Sequence, residues 1–458
     1  MNPAELSIAE AGTRLRDGSL TSVRLVQACL DRIAERDRTY NAFVALDAER
    51  ALEAAANADQ ALQNGENKSP LYGIPIAIKD LIDTVGIRTA YGSRVFESHI
   101  PDKDAEIVRR LKAAGAIIVG KLDTYEFGMV GPSFDRPFPP AANPWRPDHF
   151  TGGSSSGSAA AVAGGLVRTT ISSDTGGSIR GPASYCGVVG LKPTYVALPK
   201  DGACPLAPSL DHLGPVSATV AEAALTFDAV AGSPSSQTAS SKLGQPLEGL
   251  RIGYARNWFA RDPEIMPAII TLIDDAASQL SLLGARIEEI ELPEAKLFEA
   301  CGGVIVHAES YALHREQMAA KGHLYSEKTF PYFMAGIVLG EEDLALALRA
   351  AKRLREEVDS ALSRCDVLLT VTTCTTALPF SDFQGRTARW TPMRTMAFNV
   401  TGHPALSVPC GFVDGLPAGL QVVGRHGDEA TICQIGHAFE QATDVGTMKP
   451  TWRVHSPA

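Results

Sequence analysis

Short apolar runs separated by helical patterns are the sequence feature that most restricts how this chain can fold. Ile74–Ile78 and Gly115–Gly120 are such runs, and the pattern of Ala105–Ala114 between them predicts a helix. Similar strand patterns recur farther along the chain, at Arg251–Tyr254, Val367–Val371, Ala405–Val408 and Leu420–Val423. Alternation of this kind predicts an α/β fold whose central sheet is mostly buried under helices on both sides.

The rest of the chain is predicted to complete the same domain. Thr21 or Ser22 can cap a helix, and an alanine-rich helix is expected from about Asp47 to Leu62. Ser233–Gln245 is the one linker-like segment. We therefore predict three parts, namely a helical segment at 1–70, a core with the chemistry at 71–232, and a second α/β lobe with a helical cap at 246–458.

Composition restricts the class of protein. The 458 residues carry a formal net charge of −10 and no Lys/Arg-rich block, which argues against a nucleic-acid or anionic-membrane partner. The eight cysteines are widely spread without a C-x-x-C pair, as expected for reduced thiols in the cytoplasm. Ala159–Val167, the longest small apolar stretch, is too short to span a bilayer. We expect a cytoplasmic monomer or homodimer.

Thr151–Pro193 is the most unusual segment. Its two Gly/Ser loops, Gly152–Ser158 and Asp174–Arg180, flank a helix of small residues. Glycines next to serines allow close approach of the backbone and leave N–H groups free to point into a site. A flexible linker is the alternative interpretation, but linkers do not enclose an apolar helix.

A serine needs a base to become a nucleophile. The ten histidines show no motif; His149 lies near the first loop, but nothing else distinguishes it. Lys79 is the other candidate, because it ends the apolar run Ile74–Ile78. Burial there would lower its pKa from about 10.4 and let it act as a neutral base. From the pattern alone, a solvated lysine at a strand end remains the alternative.

Three motifs in this order resemble the amidase signature family. They are the strand that ends in Lys79, the Gly-Gly-Ser-Ser run and the Asp-Thr-Gly-Gly-Ser-Ile-Arg motif. The resemblance covers about residues 65–225 and implies the family fold with a central mixed sheet. It also implies a Ser–cisSer–Lys triad that cleaves amides without a metal or other cofactor. In this triad Ser178 is the nucleophile that forms an acyl-enzyme, Ser154 on a cis peptide bond relays the proton, and Lys79 is the base.

Further site residues follow from the same resemblance. The N–H groups of Thr175, Gly176, Gly177 and Ser178 are expected to form an oxyanion hole. Ser155, Asp174 and Arg180 are expected to support the loops, and Asp80 follows the base; ordinary ion pairs are the alternative for the charged residues. Ser156 departs from the family pattern, which has glycine there, and would be strained if the position needs a positive φ.

Aromatic residues indicate an apolar substrate pocket. Plain loop packing is the alternative, but we expect a pocket formed by Phe127, Phe134, Phe138, Phe333 and Trp390. It would accept a small carboxamide with an apolar or aryl group, an ester or carbamate being possible.

Another possible function is that of the catalytic A subunit of a glutamine-dependent tRNA amidotransferase. In the resembled family, such subunits carry a tyrosine-rich segment where this chain has Phe333–Leu339, which contains no tyrosine. We therefore favour a stand-alone amidase whose only partner is a small-molecule amide.

Overall fold

A mixed β-sheet runs through the whole fold. The computed structural model describes residues 2–66, 69–232 and 238–451, and eleven strands of this part form one sheet in the order β1-β3-β2-β6-β8-β7-β12-β13-β11-β9-β10. Its strands are β1 (Phe43–Leu46), β2 (Pro75–Lys79), β3 (Ile117–Leu122), β6 (Thr169–Asp174), β7 (Val189–Lys192), β8 (His212–Ser217), β9 (Arg251–Tyr254), β10 (Arg286–Glu289), β11 (Val367–Val371), β12 (Ala405–Val413) and β13 (Leu416–Gly424). A small hairpin pairs β4 (Ala142–Asn143) with β5 (Arg146–Phe150).

Helices cover the sheet. They are α1 (Ile8–Arg16), α2 (Ser22–Tyr40), α3 (Ala48–Gln63), α4 (Glu106–Ala113), α5 (Ser156–Ala163), α6 (Arg180–Cys186), α7 (Val220–Ala231), α8 (Arg256–Ala260), α9 (Pro267–Leu282), α10 (Ala295–Lys321), α11 (Thr329–Met334), α12 (Glu341–Arg364), α13 (Met396–Val400) and α14 (Glu429–Ala442). Short 3₁₀ helices lie between several of them, at Pro3–Glu5, Arg94–Phe96, Glu126–Gly128, Ala239–Lys242, Gly322–Leu324, Ala335–Val338, Phe380–Phe383 and Val445–Thr447. The predicted α/β fold with a covered mixed sheet is confirmed.

The central strands are apolar because both of their faces are covered. Every residue of β2, β3, β11 and β13 is buried. A strand buried on both faces reads as a continuous apolar run, and this explains why the sequence revealed these strands well. The predicted bounds of β9 and β11 are confirmed without change.

Parallel pairing brings the chemistry-bearing residues together. β2 lies between β3 and β6 and runs parallel to both, with Ile78 opposite Ile171. The carboxyl ends of parallel strands meet at one edge of the sheet, where loops bearing functional residues gather. Lys79 at the end of β2 and Asp174 at the end of β6 therefore reach the same edge.

The N-terminal helices are confirmed, but that segment also contains a strand. α2 begins after Thr21, whose side chain caps it, and α3 follows the predicted alanine-rich pattern. Between them, β1 pairs antiparallel to β3 at the edge of the sheet. β1 has only four residues and a half-buried pattern, so its sequence carries little periodic signal.

The predicted linker lies partly outside the described residues, at 233–237. Its remainder contains the short helix Ala239–Lys242, which packs against α7 and α14. The sheet passes without a break from β7 to β12, joining the two predicted lobes. Among the described residues, no helix has both the length and the apolarity needed to cross a membrane.

A glycine at the start of α5 sets how closely this helix packs on β3. A Cβ on Gly157 would lie 2.4 Å from both the carbonyl oxygen of Ala42 and the amide nitrogen of Asp123. Gly157→Ala should therefore lower the free energy of unfolding by about 1–3 kcal/mol, measured by urea denaturation. Gly303→Ala in α10 is the control, because its added Cβ meets no atom within 4 Å. Equal stability of the two variants would contradict this account.

Candidate active site

The two Gly/Ser loops line one cavity of about 400 Å³. Gly153 and Ser154 of the first loop face this cavity together with Thr175, Gly176 and Ser178 of the second loop. Two serines from loops on either side of one helix thus share one space, at the sheet edge where β2 and β6 end.

Lys79 reaches this space from the end of β2. Its amine is wholly buried, and Nζ lies 2.7 Å from Ser154 Oγ and 2.9 Å from Ser173 Oγ. Burial lowers the pKa of Lys79 to about 7, although the carboxylates of Asp174, Asp211 and Asp123 act in the opposite direction. At neutral pH a large fraction of this amine is therefore unprotonated and able to accept a proton from a neighbouring hydroxyl.

Ser173 is a contact of the lysine that sequence reasoning missed. It is the next-to-last residue of β6, and its carbonyl oxygen also accepts a hydrogen bond of 3.2 Å from Ser155 Oγ. β6 reads Thr-Thr-Ile-Ser-Ser-Asp, so its polar character did not distinguish Ser173 from its neighbours, and only its place directly before the Asp174 motif could have pointed to it.

The first loop is held by close packing and by contact with the second. The Gly153–Ser154 peptide bond is cis. A Cβ on Gly153 would lie 2.1 Å from the Tyr125 ring, so the tyrosine can pack there only against glycine. The N–H of Ser155 donates to the carbonyl oxygen of Ser178 at 3.2 Å, which links the two loops directly.

Ser156 fits its position without strain. It is the first residue of α5, where a positive φ is not needed, and its hydroxyl donates to Asp123 Oδ2 at 2.8 Å. The departure from the family pattern therefore adds a hydrogen bond at the start of the helix.

Asp174 and Arg180 organise the second loop. Their side chains are wholly buried and form an ion pair of 2.9 Å. The Asp174 carboxylate also accepts hydrogen bonds from the N–H groups of Gly177 at 2.8 Å and Ile179 at 3.1 Å. Asp174 thus fixes the backbone on both sides of Ser178.

This arrangement changes the expected oxyanion hole. The N–H of Gly177 was predicted to face the substrate, but it is already bound to Asp174. In the part of the chain that the structure describes, no hydrogen bond engages the N–H groups of Gly176 and Ser178, and both residues line the cavity. Thr175 also lines the cavity, while its hydroxyl donates to Asp211 at 2.5 Å.

Asp80 lies away from these groups. Its carboxylate accepts from the N–H of Ala90 at 3.1 Å and lies 3.8 Å from Lys121 Nζ. It therefore orders the segment after β2 and belongs to a separate buried ion pair.

The prediction of an aromatic pocket is largely wrong. Of the five predicted residues, only Trp390 lines the cavity. Phe127 and Phe333 are wholly buried and pack on His314, with ring centroids 4.6 Å and 4.3 Å away. Phe134 packs edge-on against Phe380, and Phe138 lies under the Arg88 guanidinium. Nearness to the loops in sequence did not specify to which side each ring points.

The cavity wall instead combines apolar and charged side chains. Methionine, aromatic and aliphatic residues form its apolar part, among them Tyr125, Met129, Phe150, Leu206, Val306, Met393 and Met396. Both signs of charge are present as well, in Glu264, Glu299, Arg389 and Arg394. Arg394 forms ion pairs with Glu299 at 2.9 Å and with Asp262. No sequence pattern indicated the charged residues, because they lie far beyond the serine loops along the chain.

Comparison with known proteins identifies the family. The sequence pattern of the amidase family matches residues 24–433. The chain belongs to the amidase signature family. Its members cleave linear C–N amide bonds, and this chain is an amide-cleaving enzyme.

The relatives include both amidotransferase subunits and amidases. The A subunit of glutamyl-tRNA(Gln) amidotransferase from Carboxydothermus hydrogenoformans is 36% identical over 480 residues, covering 97% of this chain and 99% of that protein. The peptide amidase of Stenotrophomonas maltophilia superposes with a TM-score of 0.83 at 31% identity, covering 96% and 97% of the two chains. The A subunit of glutamyl-tRNA(Gln) amidotransferase from Thermotoga maritima has a TM-score of 0.77 at 30% identity, covering 96% and 95%.

These relatives overturn the predicted stand-alone amidase. Curated relatives that match nearly the full length of this chain carry the name of an amidotransferase A subunit. The missing tyrosines did not predict the function. Phe333–Leu339 lies at the end of α11 and in the 3₁₀ helix Ala335–Val338 that follows it. Within the described residues, no side chain of that segment lines the cavity.

The predicted partners are wrong for a related reason. We expected a monomer or homodimer that binds a small-molecule amide and no nucleic acid. This prediction does not agree with relatives that are named as one subunit of a glutamyl-tRNA(Gln) amidotransferase. Net charge describes the whole chain, and an acidic subunit needs no basic surface if another subunit binds the RNA.

The buried lysine should make stability depend on pH. The folded pKa of Lys79 is about 7 against an ordinary value of 10.5, so between these values the unfolded chain binds more protons. Below pH 7 the buried amine is charged and lowers the free energy of unfolding. As pH rises from about 7 to 10.5, this free energy should therefore increase, by at most about 1.4 kcal/mol per pH unit. Lys79→Met removes this pH dependence. The variant should have the higher free energy of unfolding near pH 7, and its difference from the wild type should decrease as pH rises to 10.5, measured by urea denaturation.

Lys103→Met is the control, because Lys103 is exposed. Its stability should follow the wild type at every pH. A constant difference between Lys79→Met and the wild type from about pH 6 to 10 would show that the buried amine does not titrate as described.

Proposed function

We propose that this chain is the catalytic A subunit of a glutamine-dependent amidotransferase that acts on glutamyl-tRNA. Similarity to proteins of that name over 97% of the chain is the observation that carries the proposal. In this role the chain releases ammonia from the side-chain amide of glutamine, and the complex uses that ammonia to amidate the glutamate on the tRNA.

The lysine and the two serines supply the chemistry in this proposal. Neutral Lys79 takes a proton from Ser154 at 2.7 Å while Ser154 takes the proton of Ser178. Ser178 Oγ then attacks the amide carbon of glutamine. The proton returns through Ser154 to the nitrogen, because an amine leaves poorly unless it is protonated. Ammonia departs, a glutamyl ester remains on Ser178, and water cleaves that ester by the reverse proton path.

Free backbone donors support the same assignment. The negative charge that develops on the carbonyl oxygen needs preorganised N–H groups, and each such donor typically contributes about 3–4 kcal/mol. The N–H groups of Gly176 and Ser178 fit this role, since both residues line the cavity and lack other partners among the described residues. Gly177 instead holds the loop through Asp174.

The charged wall favours an amino-acid substrate. Free glutamine carries an α-ammonium and an α-carboxylate in addition to its side-chain amide. Glu264 complements the ammonium together with Glu299, whose carboxylate is shared with Arg394, while Arg389 complements the carboxylate. The Arg389 side chain pairs with Asp382 but is half exposed. It can therefore turn from Asp382 toward a ligand.

The cytoplasm is the compartment that this role requires, because charged tRNA is used there. The eight cysteines are all free thiols, which agrees with a reducing compartment.

The first test combines the chain with the other subunits of a glutamyl-tRNA(Gln) amidotransferase and measures glutamate release from glutamine. We expect cleavage, with formation of glutaminyl-tRNA when ATP and glutamyl-tRNA are added. Ser178→Ala and Lys79→Met should each lower kcat by at least about 1000-fold. Because the neutral amine is the base, kcat/KM should rise with pH and level off above about 7.

Ser278→Ala, which changes an exposed serine on α9, is the control and should leave kcat unchanged. Absence of glutamine cleavage in the complete assembly, or full activity of Ser178→Ala, would refute the proposed function.

The charged wall gives a second prediction. Glu299→Gln should raise KM for glutamine about tenfold, equivalent to about 1.4 kcal/mol, because the α-ammonium loses a charged partner. For butyramide, which lacks the α-ammonium, KM should stay unchanged. Glu316→Gln is the matched control, since Glu316 is exposed on the same helix α10 and does not line the cavity. Equal changes of KM for both substrates would contradict recognition of the ammonium.

A further inference from the structure

Two histidines and a carboxylate converge outside the active site. Asp359 lies on α12, His403 precedes β12, and His426 follows β13. One ligand atom from each residue lies within 4.8 Å of the other two, and the two imidazole rings have centroids 4.1 Å apart. None of the three lines the cavity of the serine loops, so the cluster is separate from the proposed chemistry.

Hydrogen bonds around His403 define which of its nitrogens carries a proton. The Thr401 hydroxyl donates to the carbonyl oxygen of Ala397 at 2.9 Å, so its only hydrogen is used. The same oxygen lies 2.9 Å from His403 Nδ1 and can only accept there. Nδ1 is therefore protonated, and Nε2 of the neutral ring presents a lone pair.

That lone pair faces another acceptor. His403 Nε2 lies 3.0 Å from Asp359 Oδ1, so two electron-rich atoms meet at hydrogen-bonding distance. A cation between them, or a second proton on the ring, removes this repulsion. The His403 side chain is wholly buried, which opposes a charged imidazolium. The Asp359 side chain is half exposed and His426 is exposed, so a metal ion can sit at the solvent edge of the ring.

We propose that Asp359, His403 and His426 form a binding site for a divalent transition metal ion such as zinc. Two imidazoles and one carboxylate are a ligand set that zinc accepts, with water in the fourth position. The N–H of His403 bound to Thr401 is the outer contact that typically orients a ligating histidine.

The distances suit this assignment. Ligand bonds of about 2.1 Å place two tetrahedral ligand atoms about 3.4 Å apart, close to the 3.0 Å between His403 and Asp359. His426 needs a small rotation, which its exposed side chain allows. Arg355 and Lys192 are positive charges nearby, and both already have partners. The Arg355 guanidinium donates to the carbonyl oxygen of Thr401 at 2.8 Å, and the Lys192 amine donates to that of His403 at 2.7 Å.

A bound ion would connect α12 to the ends of β12 and β13. His403 follows α13 closely, and Asn399 of α13 donates to the Asp174 carboxylate at 2.8 Å. The ion would therefore stabilise the segment that supports the nucleophile loop, without taking part in the reaction.

Zinc chloride and cobalt chloride are suitable probes for the untagged, chelator-treated chain. We expect one zinc ion per chain in calorimetric titration, a rise in Tm on addition of zinc, and visible absorption of a four-coordinate cobalt complex. His426→Ala and Asp359→Asn should each weaken zinc binding at least about tenfold, because loss of even a residue that supports a ligand typically costs that much. Both positions are exposed, so these variants should fold.

His437→Ala is the matched control, because His437 lies 3.8 Å from the Glu440 carboxylate but belongs to no group of three possible metal ligands among the described residues. It should bind zinc as the wild type does. Equal zinc affinity of the wild type and both ligand variants would overturn the proposal. Absence of any zinc-dependent heat, Tm change or cobalt spectrum in the wild type would also overturn it and would leave only an imidazolium–carboxylate pair.

Discussion

The buried ion pair between Asp174 and Arg180 is the interaction on which the site depends. Taking two charges out of water is costly, and only complete pairing offsets that cost. The Arg180 guanidinium supplies it by donating to the carbonyl oxygen of Thr395 at 2.9 Å and to Gln421 Oε1 at 2.8 Å. Burial alone would raise the pKa of Asp174, but Arg180 holds that pKa well below its usual range. The second Gly/Ser loop is therefore tied to Thr395 and Gln421, which lie far along the sequence.

Burial of a lysine is not by itself what makes a base. Lys79, Lys121 and Lys192 are all wholly buried, and burial lowers the pKa of each. Lys121 donates to the carbonyl oxygen of Ile82 and to the hydroxyl of Thr89, while Lys192 donates only to the carbonyl oxygens of Pro193 and His403 among the described residues. A carbonyl oxygen accepts a hydrogen bond but has no proton to give. Lys79 faces the hydroxyls of Ser154 and Ser173, and Ser154 opens onto the cavity. A hydroxyl partner that opens onto the cavity distinguishes Lys79, the proposed base, from the other two, because Thr89 does not line the cavity.

The sequence predicted the parts that local pattern controls. Buried strands such as β9 and β11 read as apolar runs, and the Thr21 cap marked the start of α2. Lys79, Ser154 and Ser178 stand in motifs, and they reach one place because β2 and β6 are parallel neighbours. The engagement of Gly177 by Asp174 and the orientation of Phe127 depend on tertiary contacts, so no pattern revealed them. The same holds for the cavity wall at Arg389–Met396, which folding brings beside the loops.

In the proposed function, chemistry and substrate choice come from different parts of the chain. The lysine and the serines lie between positions 79 and 178, whereas the charged wall comes from Glu264, from α10 and from the segment before α13. A motif can therefore specify amide cleavage while residues outside it decide which amide enters. A peptide amidase and an amidotransferase A subunit both have structures similar to this chain, as expected where one fold hosts several functions. Substrate choice must accordingly be judged from the side chains that face the cavity, and the segment lacking tyrosines contributes none of them.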